Sequence, residues 1–322
     1  MTVKKDRFVV DEADLASVAE PLRNLPALGL AGAGASAEDS VLDLSCARIA
    51  IRQTAGGGAP LVFLHGNSSS KDVFDLQLRS PLGQSRRCIA IDLPGHGASS
   101  DAFDPRATYS IEGYADAAIE VLEAMDIDQV VLVGWSVGGH VALEIAASFP
   151  GVVGAMIIGA PPVRSGVRGL LSGFRLSAVT PLLGSSSLSA EQAAQLAAAT
   201  VGADNAPAAM EAIRRTDGRA RELLFKSLFR GAHADQRRTG ETSDVAIAIV
   251  NGDDDPLVKP RAFDRPRYAN LWGGVHHRIP GGGHAPFLTA APLFNHLLAR
   301  FAQDMEVRAA QQREMPQLMF SG

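Results

Sequence analysis

Residues 129–150 read QVVLVGWSVGGHVALEIAASFP: an apolar run, a turn of small residues around one serine, then a helix-forming stretch closed by proline. The run Val130–Val133 does not alternate between apolar and polar, as expected of a strand covered on both faces. Pro150 ends the helical stretch because its ring cannot continue the hydrogen-bond ladder. Between them stands Gly134-Trp135-Ser136-Val137-Gly138, prolonged by Gly139. Glycines on both sides let the chain bend sharply, so the serine oxygen projects from the strand end and the next helix points its first amides at the reacting atom. A bare G-x-S-x-G arises by chance in many chains. The strand before it and the helix after it are what mark a nucleophile elbow.

Outward from this unit the rhythm repeats. LVFLHG at 61–66, CIAIDL at 88–93 and GAMIIG at 154–159 are further buried runs separated by helical patterns, as parallel strands require. Ile111, Tyr114, Ala115, Ala118, Ile119 and Leu122 recur at helical spacing behind Ser110, a capping residue. VLDLS and RIAIR within 41–53 predict a hairpin, and GGGAP at 56–60 a turn. VAIAIV at 245–250 and VHHRIP at 275–280 supply the last two strands, and Leu293, Phe294, Leu297, Leu298 and Phe301 the apolar face of a closing helix. The fold class is therefore α/β: an α/β-hydrolase fold, a mostly parallel sheet flanked by helices.

Between Pro161 and Thr242 the rhythm stops, and amphipathic stretches at 189–200, 206–215 and 219–229 predict a helical cap insertion. Ser189 with Gln192 forms a capping box, and Gly202 and Gly218 punctuate the ends of the first and second stretches. The expected division is an N-terminal extension at 1–40, a core at 41–160 and 243–304, the cap at 161–242, and a C-terminal tail at 305–322. The extension and tail lack a clear core pattern.

A serine hydroxyl is a weak nucleophile at neutral pH and needs a base, with a third group to fix the base's tautomer. In this fold the acid and then the histidine follow the serine. Asn251-Gly252-Asp253-Asp254-Asp255-Pro256 comes after one late strand and Gly283-His284-Ala285-Pro286 after the next. His284 is the predicted base and Asp255 the acid, with Asp253 and Asp254 as alternatives. Two preorganised backbone N–H groups must meet the developing oxyanion; Val137 is the first expected donor and Asn67 the second. Trp135, beside the nucleophile, is expected to contact substrate. Among the other histidines, His65 and His96 read as loop-bracing residues and His140 and His296 as core or surface residues. His233, His276 and His277 lack the glycine-rich placement after the last strand. No zinc-binding spacing appears, and the G-x-G pattern at 32–34 follows no strand, so neither a metal nor a cofactor is expected.

Across 322 residues the formal net charge is −5, which offers no basic surface for nucleic acid or anionic membrane. No apolar run approaches the length needed to cross a bilayer and no secretory signal is read, so a cytoplasmic location is expected. Of only two cysteines, Cys46 and Cys88, the second lies in a strand-like run, which suits a reduced buried thiol. The expected partner is a small-molecule ester or lactone; the sequence leaves the oligomeric state open.

LHGNSSS at 64–70, DLPGHGASSD at 92–101, YSIEGYAD at 109–116, GWSVGGH at 134–140 and GAPPV at 159–163 resemble the metal-independent N-acyl-homoserine lactone lactonases. RTDGRAR at 215–221, VNGDDDP at 250–256, NLWGG at 270–274 and GHAPF at 283–287 extend the likeness over about residues 41–303. The resemblance implies ring opening of an acylated homoserine lactone, a quorum-quenching reaction, with Ser136, His284 and Asp255 as triad and Asn67 in the oxyanion loop. Two departures stand out. The family's pattern has glutamate where this chain has Asp255, and the stretches 1–40 and 164–205 match poorly. Leu170, Leu171, Phe174, Leu176, Leu223, Leu224, Phe225, Leu228 and Phe229 either line an acyl tunnel or form the cap's own core. A carboxylesterase acting on small acyclic esters, and a receptor that keeps the fold for sensing, remain the competing readings.

Overall fold

The computed structural model describes residues 36–164, 166–231 and 234–319. Eight strands form one sheet: β1 (Ala37–Asp43), β2 (Arg48–Thr54), β3 (Gly57–Leu64), β4 (Arg86–Ile91), β5 (Val130–Trp135), β6 (Val152–Ile158), β7 (Ala246–Gly252) and β8 (Leu271–Ile279). Their order is β1-β2-β4-β3-β5-β6-β7-β8; the β1–β2 and β2–β4 pairs are antiparallel and the remaining pairs parallel. The expected hairpin is the β1–β2 pair.

The continuous apolar run of β5 has a simple cause. Val130 and Leu132 enter one apolar cluster, Val131, Val133 and Trp135 another, and each cluster covers one face of the sheet. The first receives α1 (Ile111–Ala124) and α2 (Val137–Ser148); Ser110 caps α1 by accepting the Gly113 N–H. The second receives Phe294, Leu298 and Phe301 of the closing helix α8 (Ala291–Met319).

The cap carries α3 (Val167–Gly173), α4 (Ala190–Val201), α5 (Ala206–Arg215), α6 (Gly218–Arg230) and α7 (Gln236–Thr242). The Ser189–Gln192 capping box starts α4 as expected. Its core is Leu182, Ala193, Leu196, Ala197, Ala206 and Ile213.

Several sequence expectations need correction. Most of GGGAP is strand: β3 begins at Gly57, which pairs with Arg86 before a register irregularity leads into Leu61. Such an irregularity at a strand's start tolerates Gly and Pro. Gly218 opens α6 behind the Asp217 cap rather than closing α5, because Asp217 accepts the Arg219 N–H. The tail expected from 305 is helix as far as Met319, and Met305 and Ala309 are buried. Met305 fits over Gly154 of β6, where a Cβ would stand 2.4 Å from its sulfur. Only residues 36–40 of the expected extension are described, and β1 already begins at Ala37; His233 also lies outside the described residues. Among the described residues no helix is long and apolar enough to cross a membrane.

Candidate active site

Ser136 sits where β5 turns into α2, with φ 53° and ψ −118°, a conformation L-residues rarely adopt. The surrounding structure holds it there. The Ser136 N–H donates to Ile158 O at 2.7 Å, and the chain then passes so close to β3 that a Cβ on Gly138 would lie 2.0 Å from Leu64 O. Glycine at 138 is therefore a steric requirement of the elbow.

His284 follows β8. Its Nδ1–H donates to Asp255 Oδ2 at 2.7 Å, with both side chains about 1% exposed. This leaves Nε2 as the acceptor nitrogen, buried and with no hydrogen-bond partner among the described residues. Asp255 is itself fixed, since its Oδ1 accepts the N–H groups of Leu257 at 2.8 Å and Val258 at 3.1 Å. The neighbouring acids hold the same loop by its backbone: Asp253 accepts from Gly281 N–H at 3.0 Å and Asp254 from Gly283 N–H at 2.7 Å. The aspartate run thus grips three points of the histidine loop, and of the three it is Asp255 that bonds the imidazole.

Further residues position the imidazole. Gly159, at φ 60°, lies so close that a Cβ would meet His284 Cε1 at 2.6 Å. Its N–H donates to Asn251 Oδ1, the Asn251 amide donates to His276 Nε2 at 2.8 Å, and His276 Nδ1–H donates to Asp264 at 3.2 Å. Sequence reasoning missed this chain; the only signal for it was polar Asn251 ending an apolar strand. Trp135 is 1% exposed, and its indole N–H donates to His284 O at 2.8 Å. It lines the cavity as apolar floor, with its one polar atom already engaged.

The loop after β3 faces Ser136. His65 accepts the Leu93 N–H at Nε2 and so donates from Nδ1 to Gly66 O at 2.8 Å, the bracing role expected of it. Burial pushes its pKa down to about 4, so the ring stays neutral. Asp92 accepts both the backbone N–H and the ammonium of Lys71, closing the far end of the loop. The Asn67 side-chain amide donates to Leu183 O in the cap at 2.8 Å. His96 bonds Pro94 O, and His140 bonds Gln236.

The RTDGRAR segment fastens the cap to this wall. Asp217 N–H donates to Gly95 O, and its carboxylate accepts the Tyr109 hydroxyl at 2.7 Å. Arg215 donates to Ser99 O, and Arg219 pairs with Asp101 at 3.3 Å. Arg221, buried, donates to Ser185 O at 2.7 Å and reaches Ser68 Oγ at 3.4 Å. In the sequence the string served only to extend the family likeness, with no role assigned to it.

Ser136, His284, Val137, Asn67 and Trp135 all line one cavity of about 110 Å³. Its remaining wall is largely apolar, with His140, Arg175, Thr180 and Thr200 among it, and comes mostly from the cap. Of the nine residues proposed for a tunnel, all but Leu223 line it. Leu171, Leu176 and Phe229 are exposed at its edge.

A profile of the alpha/beta hydrolase family matches residues 61–296. The chain belongs to the α/β-hydrolase family. Within this family, a crystal structure of a variant of N-acyl homoserine lactonase AidH with N-hexanoyl homoserine superposes with a TM-score of 0.82 at 40% identity. That match covers 84% of this α/β hydrolase and 98% of that chain. Pimeloyl-[acyl-carrier protein] methyl ester esterase of Xanthomonas axonopodis pv. citri is 31% identical over 273 residues, 76% of this chain and 96% of that one. An uncharacterized protein of Mycobacterium tuberculosis is 36% identical over 104 residues, a match spanning 32% of this hydrolase and 29% of the relative's length.

Proposed function

We propose that this α/β hydrolase opens the lactone ring of N-acyl-homoserine lactones through an acyl-enzyme. The reading is carried by one observation: the 40% identity with the AidH lactonase, which extends over 98% of that chain. The apolar cavity at Ser136 supports it, because an acyl chain needs such a lining beside a reacting carbonyl.

In this reading Ser136 Oγ attacks the ring carbonyl while His284 Nε2 takes its proton. Asp255 holds Nδ1–H and stabilises the imidazolium. The N–H groups of Val137 and Asn67 receive the oxyanion. The ring oxygen leaves as a hydroxyl still tethered to the acyl group, and water, activated by His284, releases the opened hydroxy acid. Because the nucleophile is the protein's own hydroxyl, the reaction requires no metal.

The test is turnover of N-hexanoyl homoserine lactone, followed by mass spectrometry, by wild type and Ser136→Ala in the presence of a chelator. The wild type is expected to open the ring at an undiminished rate under chelation, and the variant to lose several powers of ten. The likeness to a methyl ester esterase favours a second reading, cleavage of small acyclic esters by the same groups. Ring opening no faster than in buffer, alongside rapid cleavage of p-nitrophenyl acetate, would decide for that second reading.

A further inference from the structure

We propose that the seam between the cap and the segment joining β7 to β8 carries a second binding site, which takes the phosphoryl group of a phosphorylated small molecule. The site is a concavity of about 370 Å³ lined by Arg164, Arg168, Arg237 and Arg265, with no acidic residue among its described lining. It shares no lining residue with the cavity at Ser136.

Four guanidinium groups around one hollow run against the character of a chain whose net charge is −5. Like charges at close quarters repel one another unless an anion stands between them. The nearby acids are already engaged. Glu241 pairs with Arg237 at 2.8 Å from one turn along α7 and also lies within the field of Arg164, so it offsets one of the four charges, and Asp264, next to Arg265 in sequence, is taken by Arg278 and His276. Arg265 makes a long bond of 3.4 Å to Ser172 O. Each guanidinium has five N–H donors in a planar fork that matches phosphate oxygens two at a time. These bonds use few of them.

The chain is shaped to bring these residues together. Arg168 belongs to α3, and Gly169 beside it lets that helix press on Arg164, since a Cβ there would lie 1.7 Å from Arg164 O. Arg237 comes from α7 and Arg265 from just past the helical turn Pro260–Phe263, so the quartet spans both sides of the seam. Buried Val163 and Ala262 form an apolar floor against which the carbon part of a ligand would rest. A dianionic phosphoryl group suits four cations better than a single carboxylate, which one arginine fork already satisfies.

Calorimetric titration of the full chain at low ionic strength tests the site, and it needs no lactone turnover. The probes are inorganic pyrophosphate and ribose 5-phosphate, with ribose and citrate for comparison. Both phosphorylated probes should bind with Kd below about 1 mM and weaken as salt is added, while ribose should not bind. The double variant Arg168→Gln/Arg265→Gln, with its fold checked by circular dichroism, should weaken binding by about tenfold or more. Arg214→Gln, on exposed α5, should leave it unchanged. Absence of binding at about 10 mM probe, or equal binding by the double variant, overturns the proposal. Tighter binding of citrate than of either phosphorylated probe overturns the ligand class.

Discussion

The indole N–H of Trp135 donates to the backbone carbonyl of His284, so the residue before Ser136 holds the segment that carries His284. Trp135→Phe keeps an aromatic ring and removes that donor, leaving a buried carbonyl unpaired at a cost of about 1–3 kcal/mol. The expected result is a lower denaturation midpoint and a kcat reduced by about tenfold with KM little changed. Urea unfolding and steady-state kinetics measure both; an unaltered kcat would show that this bond does not position the base.

Asp255 is expected to orient His284, so Asp255→Asn should cut kcat by about a thousandfold or more through the wrong imidazole tautomer. Asp255→Glu keeps the charge but adds a methylene, which displaces the bonds to the Leu257 and Val258 amides; its loss should be smaller. Asp253→Asn and Asp254→Asn serve as references, since each touches only backbone. Equal losses in all three positions would remove Asp255 from its proposed role.

Asn251 reaches the imidazole only through Gly159. Asn251→Leu should lower kcat while leaving KM near its wild-type value, because it loosens the base without touching the acyl wall. Asn251→Asp restores an acceptor for the Gly159 N–H and should recover part of the loss. A change confined to KM would place Asn251 on a different footing.

Leu228 lines the apolar wall from α6. Leu228→Trp adds bulk there, so kcat/KM should fall more for an N-decanoyl than for an N-butanoyl homoserine lactone. Parallel kinetics on the two substrates check this; equal effects would mean the chain lies elsewhere.

His65 and His96 are buried neutral, with pKa values pushed down by burial to about 4 and about 3. A histidine depressed from 6.5 contributes stability in full above that pH and loses it as pH falls toward the folded value, because the unfolded chain takes up the proton first. For His65 the loss approaches about 3 kcal/mol at the bottom of that window. Denaturation midpoints should therefore decline between pH 6.5 and pH 4, and His65→Gln should flatten the decline. A profile level across that range would contradict this account.

The parallel strands were legible because burial on both faces leaves a plain mark, as in Val130–Val133. That Ser136 and His284 share one cavity, with Asp255 bonded to the imidazole, follows a chain order the fold itself imposes, and the proposed roles of the three rest on that order. Other features left weaker marks. The face of α8 was legible as far as Phe301, but Met305 and Ala309 continue it among charged residues, so its last turns read as an ordinary solvated tail. Asn251 and Arg221 act through backbone groups far away in the chain, and backbone partners leave no trace in residue identity. Trp135 was expected to meet substrate because of its neighbour; its burial and its bond to His284 are visible only in three dimensions.

The fastening of the RTDGRAR segment to Gly95, Ser99, Asp101 and Tyr109 bears on how molecules reach the serine. A lid sewn down along that margin cannot swing there without parting several bonds together. Entry and departure would then use the opposite border, where Leu171, Leu176 and Phe229 stand in solvent, greasy enough to greet a fatty tail before its polar head arrives.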